Sequence, residues 1–298
     1  MVSDSSAIIS GGNSAPETRV IEKSNCLRDG LLLLSGSTQF PLKHSRFPPR
    51  MNLSVEVHPV SHSAPPPPTK ETLVTLSAQA RSAWAKFGYN SESRHWLPLW
   101  LHLLDAAAVA EHLARHWLAP TVCELIEREF EDSDSGLTPV EEFCLLTSWI
   151  AGVHDIGKCT PAFSVQVPGL DDRMKEAGLI HEPVDPLERR KVPHALAGHL
   201  ILENWLMDGH GWDLEPAEAL ASVVGAHHGI PPTTAALGQD YYGHEHLLGE
   251  DETWNATRRE LLELVTRRTG AAALLPHWAR HRWSQPFLVE LSGLLIVS

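Results

Sequence analysis

The sequence predicts an all-α domain that follows a disordered N-terminal extension. Apolar residues recur at three- and four-residue steps over most of residues 71–298, as they do on one face of a helix. No alternating strand pattern competes with this over any useful length. Hydrophobic residues make up 43% of the 298 residues and charged residues 20%, which is ordinary for a globular protein with a sizeable core.

The extension covers residues 1–70 and differs in composition from the rest of the chain. It holds 9 of the 22 prolines, is rich in serine and shows no sustained apolar period. Such a segment buries too little apolar surface to offset the entropy of ordering. It is interpreted as a disordered tail or as an over-long start, since Met51 can begin a shorter product.

The predicted helices follow in order from residue 71. The first runs from Glu71 to Gly88, and the second from about Pro98 to Leu118, with Pro98 near its first turn. The segment between Pro168 and Pro193 is predicted to be the longest loop. The later helices are predicted over residues 139–153, 194–208, 216–226 and 255–268, and from Pro286 onward.

Charge and cysteine usage exclude several classes of protein. With 24 basic and 37 acidic residues the net charge is −13, which argues against a broad surface that coats nucleic acid. A local site where a metal supplies the positive charge remains open. The 4 cysteines form no CxxC pair, so a disulfide scaffold or a thiolate zinc finger is not expected. No apolar run approaches the ~20 residues of a membrane helix, and a cytoplasmic location without a membrane partner is expected.

The chemistry is expected where an apolar helix delivers His154 and Asp155 into the interior. Burying a carboxylate beside an imidazole is costly unless a metal or another cation compensates, although a buried His–Asp hydrogen bond is common. Gly152, Gly157 and Lys158 match the phosphate-binding pattern G-x-x-x-x-G-K, but a cysteine replaces its final Ser or Thr. A thiol binds magnesium poorly and the segment is helical, so this P-loop interpretation is rejected.

The chain holds 18 histidines, and a few of them lie at comparable places on other predicted helices. His102 and Asp105 lie one turn apart in an apolar run, His194 opens a helix, and His227 and His228 end another. Each alone is more often a satisfied core residue than a ligand. Together with a carboxylate whose two oxygens can bridge two cations, they predict a two-metal centre. The other histidines, among them the pair at 112 and 116 and the one at 199, are assigned to surface or packing.

The order His, His-Asp, His, His-His resembles the HD phosphohydrolase superfamily. Within it, the chain is similar to the HD nuclease domain of the CRISPR-associated helicase-nuclease of type I interference systems. The likeness is carried by residues 82–86, 97–105, 152–163 and 226–229. It implies an HD-type helical bundle over residues 71–298 that binds two transition-metal ions and cleaves single-stranded DNA in antiviral defence, first endonucleolytically and then by degradation.

The resemblance also implies a role for each site residue. Asp155 would bridge the two ions and Lys158 would lie near the scissile phosphate. Imidazole ligands favour manganese, iron, nickel, cobalt or zinc over magnesium. The implied ligands are His102, His154 and Asp155 for the first ion, and Asp155, His194, His227 and His228 for the second.

Three further expectations follow. No helicase motif is present, so a separately encoded or downstream helicase and the CRISPR RNA-guided surveillance complex are expected partners. The family's next metal-binding Asp would follow Leu294–Val297, where this chain stops, so a C-terminal truncation is expected, with a catalytically weak docking module as one alternative. Another alternative is a phosphohydrolase of small nucleotides, with the 168–193 loop over its pocket. The basic run 189–191 is either a DNA contact or a solvated loop.

Overall fold

The computed structural model describes residues 76–89, 94–238, 241–249 and 251–297. The predicted extension over residues 1–70 lies outside these ranges. The longer helices are α2 (Leu99–His116), α3 (Pro120–Glu129), α4 (Pro139–Val153), α6 (Pro168–Glu176), α7 (His194–Asn204), α8 (Leu214–Gly225), α10 (Glu252–Thr269) and α12 (Gln285–Val297). Shorter helices are α1 (Ala78–Ser82), α5 (Pro161–Ser164), α9 (Thr234–Leu237) and α11 (Leu275–Trp278). The all-α class is therefore confirmed.

The helix predicted over residues 71–88 is present only in part: residues 71–75 lie outside the described ranges, Ala78–Ser82 is helical, and Trp84–Tyr89 is a strand. Helix α1 ends at Ser82, and an antiparallel pair follows, β1 (Trp84–Tyr89) with β2 (Arg94–Pro98), in which Trp84 is opposite Pro98. Aromatic residues suit a half-buried strand. Their spacing also fits a helical face, and the tertiary contacts decide between the two.

Two other differences concern loops. The segment 168–193 contains α6 and a 3₁₀ turn, Glu188–Lys191, because Leu170 and Met174 lie one turn apart and are both buried. Helix α3 was not predicted. The remaining helices lie within about four residues of their predicted ends; the one from His194 changes at Trp205 into a π-helical turn, Trp205–Gly209.

Helix α4 passes through the centre of the bundle and ends at the candidate site. Thr138 and Glu141 form a capping box at its start, where Pro139 occupies the first turn. Most of its residues are buried, including the large side chains of Trp149 and Ile150. Helix α2 packs along α4, so their apolar faces hold the two segments that carry His102 and His154 at a fixed distance.

Glu142 of α4 is fully buried and stabilises the far end of the bundle. It accepts hydrogen bonds from Trp278 Nε1 at 3.0 Å and from the hydroxyls of Ser133 and Ser135. Replacing it with alanine leaves the indole N–H buried without a partner. We expect Glu142→Ala to lower the free energy of unfolding by about 3 kcal/mol, measured by urea denaturation. The exposed variant Glu127→Ala should change it by less than about 0.5 kcal/mol, and equal values for the two would contradict the assignment.

Within the part of the chain that the structure describes, no helix combines the length and the apolar character that crossing a membrane requires.

Candidate metal centre

The ends and faces of four helices meet at one point, which is buried around Asp155 and open to solvent at His228. His102 lies in the first turns of α2, and His154 and Asp155 follow the last residue of α4. His194 is the first residue of α7, while the His227–His228 pair follows the end of α8. The structure therefore brings together the six side chains that were predicted to ligate the two ions.

Asp155 lies at the centre of the group and is 3% exposed. Its Oδ2 lies 2.7 Å from His102 Nε2, 3.2 Å from His154 Nε2 and 2.6 Å from Lys158 Nζ. The Lys158 side chain can contact Asp155 because a 3₁₀ turn, Ile156–Lys158, follows that residue. In this turn the backbone N–H of Lys158 donates to the Asp155 carbonyl at 2.9 Å. One carboxylate oxygen thus faces two imidazoles and one ammonium group.

The other carboxylate oxygen faces a different set of histidines. Asp155 Oδ1 lies 3.5 Å from the Nε2 atoms of both His194 and His227. His228 completes this set, with its Nε2 2.8 Å from His194 Nε2. Both Asp155 Oδ1 and His227 Nε2 are buried without a hydrogen-bond partner among the described residues. Such atoms cost about 1–3 kcal/mol each when left unsatisfied, which points to a ligand between them.

Backbone carbonyls fix the orientation of two of the rings. Nδ1 of His154 donates to the Ala151 carbonyl at 2.6 Å, and Nδ1 of His227 donates to the Val224 carbonyl at the same distance. The pKa of His227 is lowered, so its ring is neutral near neutral pH and keeps a lone pair on Nε2, which faces Asp155 Oδ1. Electron-rich atoms at 3.5 Å repel each other unless a cation lies between them. Metal-binding histidines characteristically donate their other ring N–H in this way.

The surroundings set the charges of these groups. Burial lowers the pKa of His194 to about 3 and that of His227 to about 4, and burial also lowers the pKa of His102. Burial alone would raise the pKa of Asp155, but the close contacts with His102, His154 and Lys158 outweigh it and hold that pKa well below its ordinary value. Near neutral pH the three histidines with lowered pKa values are therefore unprotonated beside an ionised carboxylate, a donor set suited to a cation.

Close approach of α7 to the turn after α4 brings His194 into reach. Gly157 allows this, because a Cβ atom there would lie 1.9 Å from the His194 carbonyl oxygen and 2.5 Å from the Gly198 nitrogen. The glycine that makes the sequence resemble a P-loop thus serves helix packing.

The role of the Ala151 and Val224 carbonyls in orienting the two rings could not be predicted from the sequence, since every residue has a backbone carbonyl.

Other candidates lie outside the cluster. Asp105 lies about one turn after His102 on α2 and was considered together with it. Its side chain is exposed, because it projects outside the buried face of that helix. His112 is exposed, as predicted for that face. His199 is buried on α7 itself, with Nε2 3.3 Å from Glu203 Oε2, which agrees with a packing role.

Comparison with known proteins gives a consistent family. The Cas3, HD domain family matches residues 84–298. The chain is 33% identical over 199 residues to the CRISPR-associated endonuclease/helicase Cas3 of Thermus thermophilus, covering 66% of this chain and 19% of that protein. It is 28% identical over 238 residues to the CRISPR-associated nuclease/helicase Cas3 of Streptococcus thermophilus, covering 72% and 24%.

A solved structure has the same fold. The crystal structure of a CRISPR-associated protein is 29% identical, covers 74% of this chain and 23% of that one, and superimposes with a TM-score of 0.59. The chain thus spans about a fifth to a quarter of the length of the relatives it matches. Because the family match extends over most of the chain and includes every member of the histidine cluster, the chain belongs to the Cas3 HD domain family.

Proposed function

We propose that the chain is a metal-dependent nuclease domain that hydrolyses phosphodiester bonds in single-stranded DNA. The observation that carries this proposal is the division of the ligating atoms into two sets about one carboxylate. In each set the ligand atoms lie within 4.8 Å of one another. The sets are His102, His154 and Asp155, and His194, His227 and His228. Its kinship with proteins named as Cas3 nucleases supports the reaction class.

Two divalent transition-metal ions fit these donors. The first would be held by His102, His154 and Asp155 Oδ2. The second would be held by His194, His227, His228 and Asp155 Oδ1. The unsatisfied oxygen and ring nitrogen are the atoms such an ion would satisfy. Five imidazoles and one carboxylate suit manganese, iron, nickel, cobalt or zinc better than magnesium.

Bound ions of this kind lower the pKa of coordinated water and offset negative charge on a phosphate. The residues of the chain contribute orientation and charge. The Ala151 and Val224 carbonyls hold the His154 and His227 rings with Nε2 toward the centre. Lys158 keeps a buried ammonium group within 2.6 Å of Asp155, where its charge would stabilise the additional negative charge of the transition state.

In the cell, we propose that the domain acts in the cytoplasm in CRISPR antiviral defence. Its partners would be a helicase, encoded separately or downstream, and the RNA-guided surveillance complex. The names of the relatives, which pair a nuclease with a helicase, support the first partner. A negative chain with a net charge of −13 needs positive charge from bound metal or from a local basic surface to hold a DNA strand.

Circular single-stranded DNA provides the direct test. With manganese or nickel the purified chain should open the circle and then degrade it, followed on denaturing gels, while EDTA should stop the reaction. The gel reports endonucleolytic cleavage because a circle has no ends. Mononucleotides and cyclic nucleotides should turn over far more slowly. Faster turnover of these small substrates would instead identify a nucleotide phosphohydrolase, and no turnover of any phosphodiester with any of the five metals would contradict the proposal.

A further inference from the structure

A second feature lies beside the histidine cluster. A cavity of about 230 Å³ is bounded by α5, by the 3₁₀ turn Glu188–Lys191 and by the start of α7. Its lining includes Phe163, Gln166, Arg189, Arg190 and His194. His194 therefore belongs both to the cavity wall and to one set of ligating atoms. Lys191, the third basic residue of the turn, is exposed and does not line the cavity.

Neither arginine of the cavity has an ion-pair partner among the residues that the structure describes. The nearby acidic groups are engaged elsewhere. Glu188 Oε1 lies 3.0 Å from His244 Nδ1, and Asp185 Oδ1 accepts the backbone N–H of Leu187 at 2.6 Å. Arg189 and Arg190 are adjacent in sequence and line one cavity without an ion-pair partner among the described residues, so in a protein of net charge −13 they offer a local site for an external anion.

Phe163 lines this cavity and also lies close to Lys158. The Phe163 ring centroid lies 5.6 Å from Lys158 Nζ and 5.7 Å from the His194 ring centroid. An anion held by the arginines would thus lie next to the metal centre but not in it. A polynucleotide, which carries a phosphate on every nucleotide, supplies an anion at both positions.

The cavity volume also bears on the substrate. Pockets that enclose small molecules usually measure about 300–1,000 Å³, so this one is small for a whole mononucleotide. It suits one sugar–phosphate segment of a longer chain that continues outside. Resting on the proposed nuclease function, we propose that Arg189 and Arg190 bind the backbone phosphate adjacent to the scissile one, and that this contact selects a strand over a free nucleotide.

Binding and kinetics of one double variant test this inference. We expect Arg189→Ala/Arg190→Ala to raise the Kd for a fluorescein-labelled oligothymidylate roughly tenfold, measured by anisotropy in EDTA. The slope of log Kd against log salt should become shallower by about one. With manganese, KM for the oligothymidylate should rise while kcat falls by less than about twofold, because the contact lies away from the reacting phosphorus.

Lys191→Ala is the control, since it removes one positive charge from the same turn, where the double variant removes two. It should leave Kd and the salt slope within about twofold of the wild type. An equal effect on log Kd per charge removed in the control and the double variant would overturn the inference in favour of general electrostatic attraction. A fall in kcat together with a lower unfolding temperature would also overturn it, in favour of a structural role. Absence of cutting by the wild type would contradict the nuclease proposal, while the anisotropy data would still decide the arginine contact.

Discussion

Asp155→Asn should reduce DNA cleavage by about 10³-fold or more, because the carboxylate contacts both sets of histidines. The amide keeps the shape of the side chain but provides only one oxygen and no charge. Calorimetric titration with manganese should show a parallel loss, with fewer than two ions bound per chain. Asp105→Asn, at an exposed position on α2, is the control and should retain both cleavage and metal binding.

Folding must be separated from catalysis in this variant. The substitution Asp155→Asn would leave the buried Lys158 ammonium without its charged partner, which by itself costs about 3 kcal/mol. We therefore expect Asp155→Asn to be less stable in EDTA, and the double variant Asp155→Asn/Lys158→Met to recover most of the stability but none of the activity. Retention of cleavage by Asp155→Asn, or recovery of cleavage in the double variant, would contradict the role assigned to the carboxylate.

Most of the longer helices were predictable from the sequence because each of them must bury one apolar face in the bundle. Residues at three- and four-residue steps must be apolar to be buried, and in α4 the predicted and observed ends coincide. The hairpin was missed because the spacing of its apolar residues resembles that of a helix. Trp84 and Phe87 are three residues apart, as on one helical face, whereas the pairing with Arg94–Pro98 makes the segment a strand.

The sequence was enough to name the residues of the histidine cluster, but not to predict how they separate into two sets around the Asp155 carboxylate. Local spacing showed that His154 and Asp155 leave an apolar helix together. It did not show which carboxylate oxygen each histidine faces, because that depends on the contact between α7 and the turn at Ile156–Lys158. Asp105 shows the limit of arguing from spacing. Its spacing from His102 was compatible with a shared site, yet its side chain is exposed to solvent because of the orientation of α2 in the bundle.

Among substitutions that keep all six predicted ligand residues, Gly157→Ala should cause the largest loss of stability and of cleavage activity. The added Cβ would meet backbone atoms of His194 and Gly198, which cannot rotate away, so α7 must move. We expect a loss of about 3 kcal/mol in the free energy of unfolding. We also expect at least about 10²-fold slower cleavage, because displacements near 1 Å are this costly at a reactive centre.

A graded series distinguishes displacement of α7 from a general intolerance of alanine. At Gly198 the added Cβ would meet the Val224 side chain at 3.1 Å and the His154 carbonyl at 3.3 Å, so a smaller shift is required and an intermediate loss is expected. At Gly169 of α6 nothing lies within 4 Å, and alanine should be neutral or slightly stabilising. Urea denaturation and cleavage assays should both rank the variants at Gly157, Gly198 and Gly169 from most to least impaired. If Gly157→Ala were as stable and as active as Gly169→Ala, α7 would not be held against the turn as the structure describes, and His194 would have no reason to face Asp155.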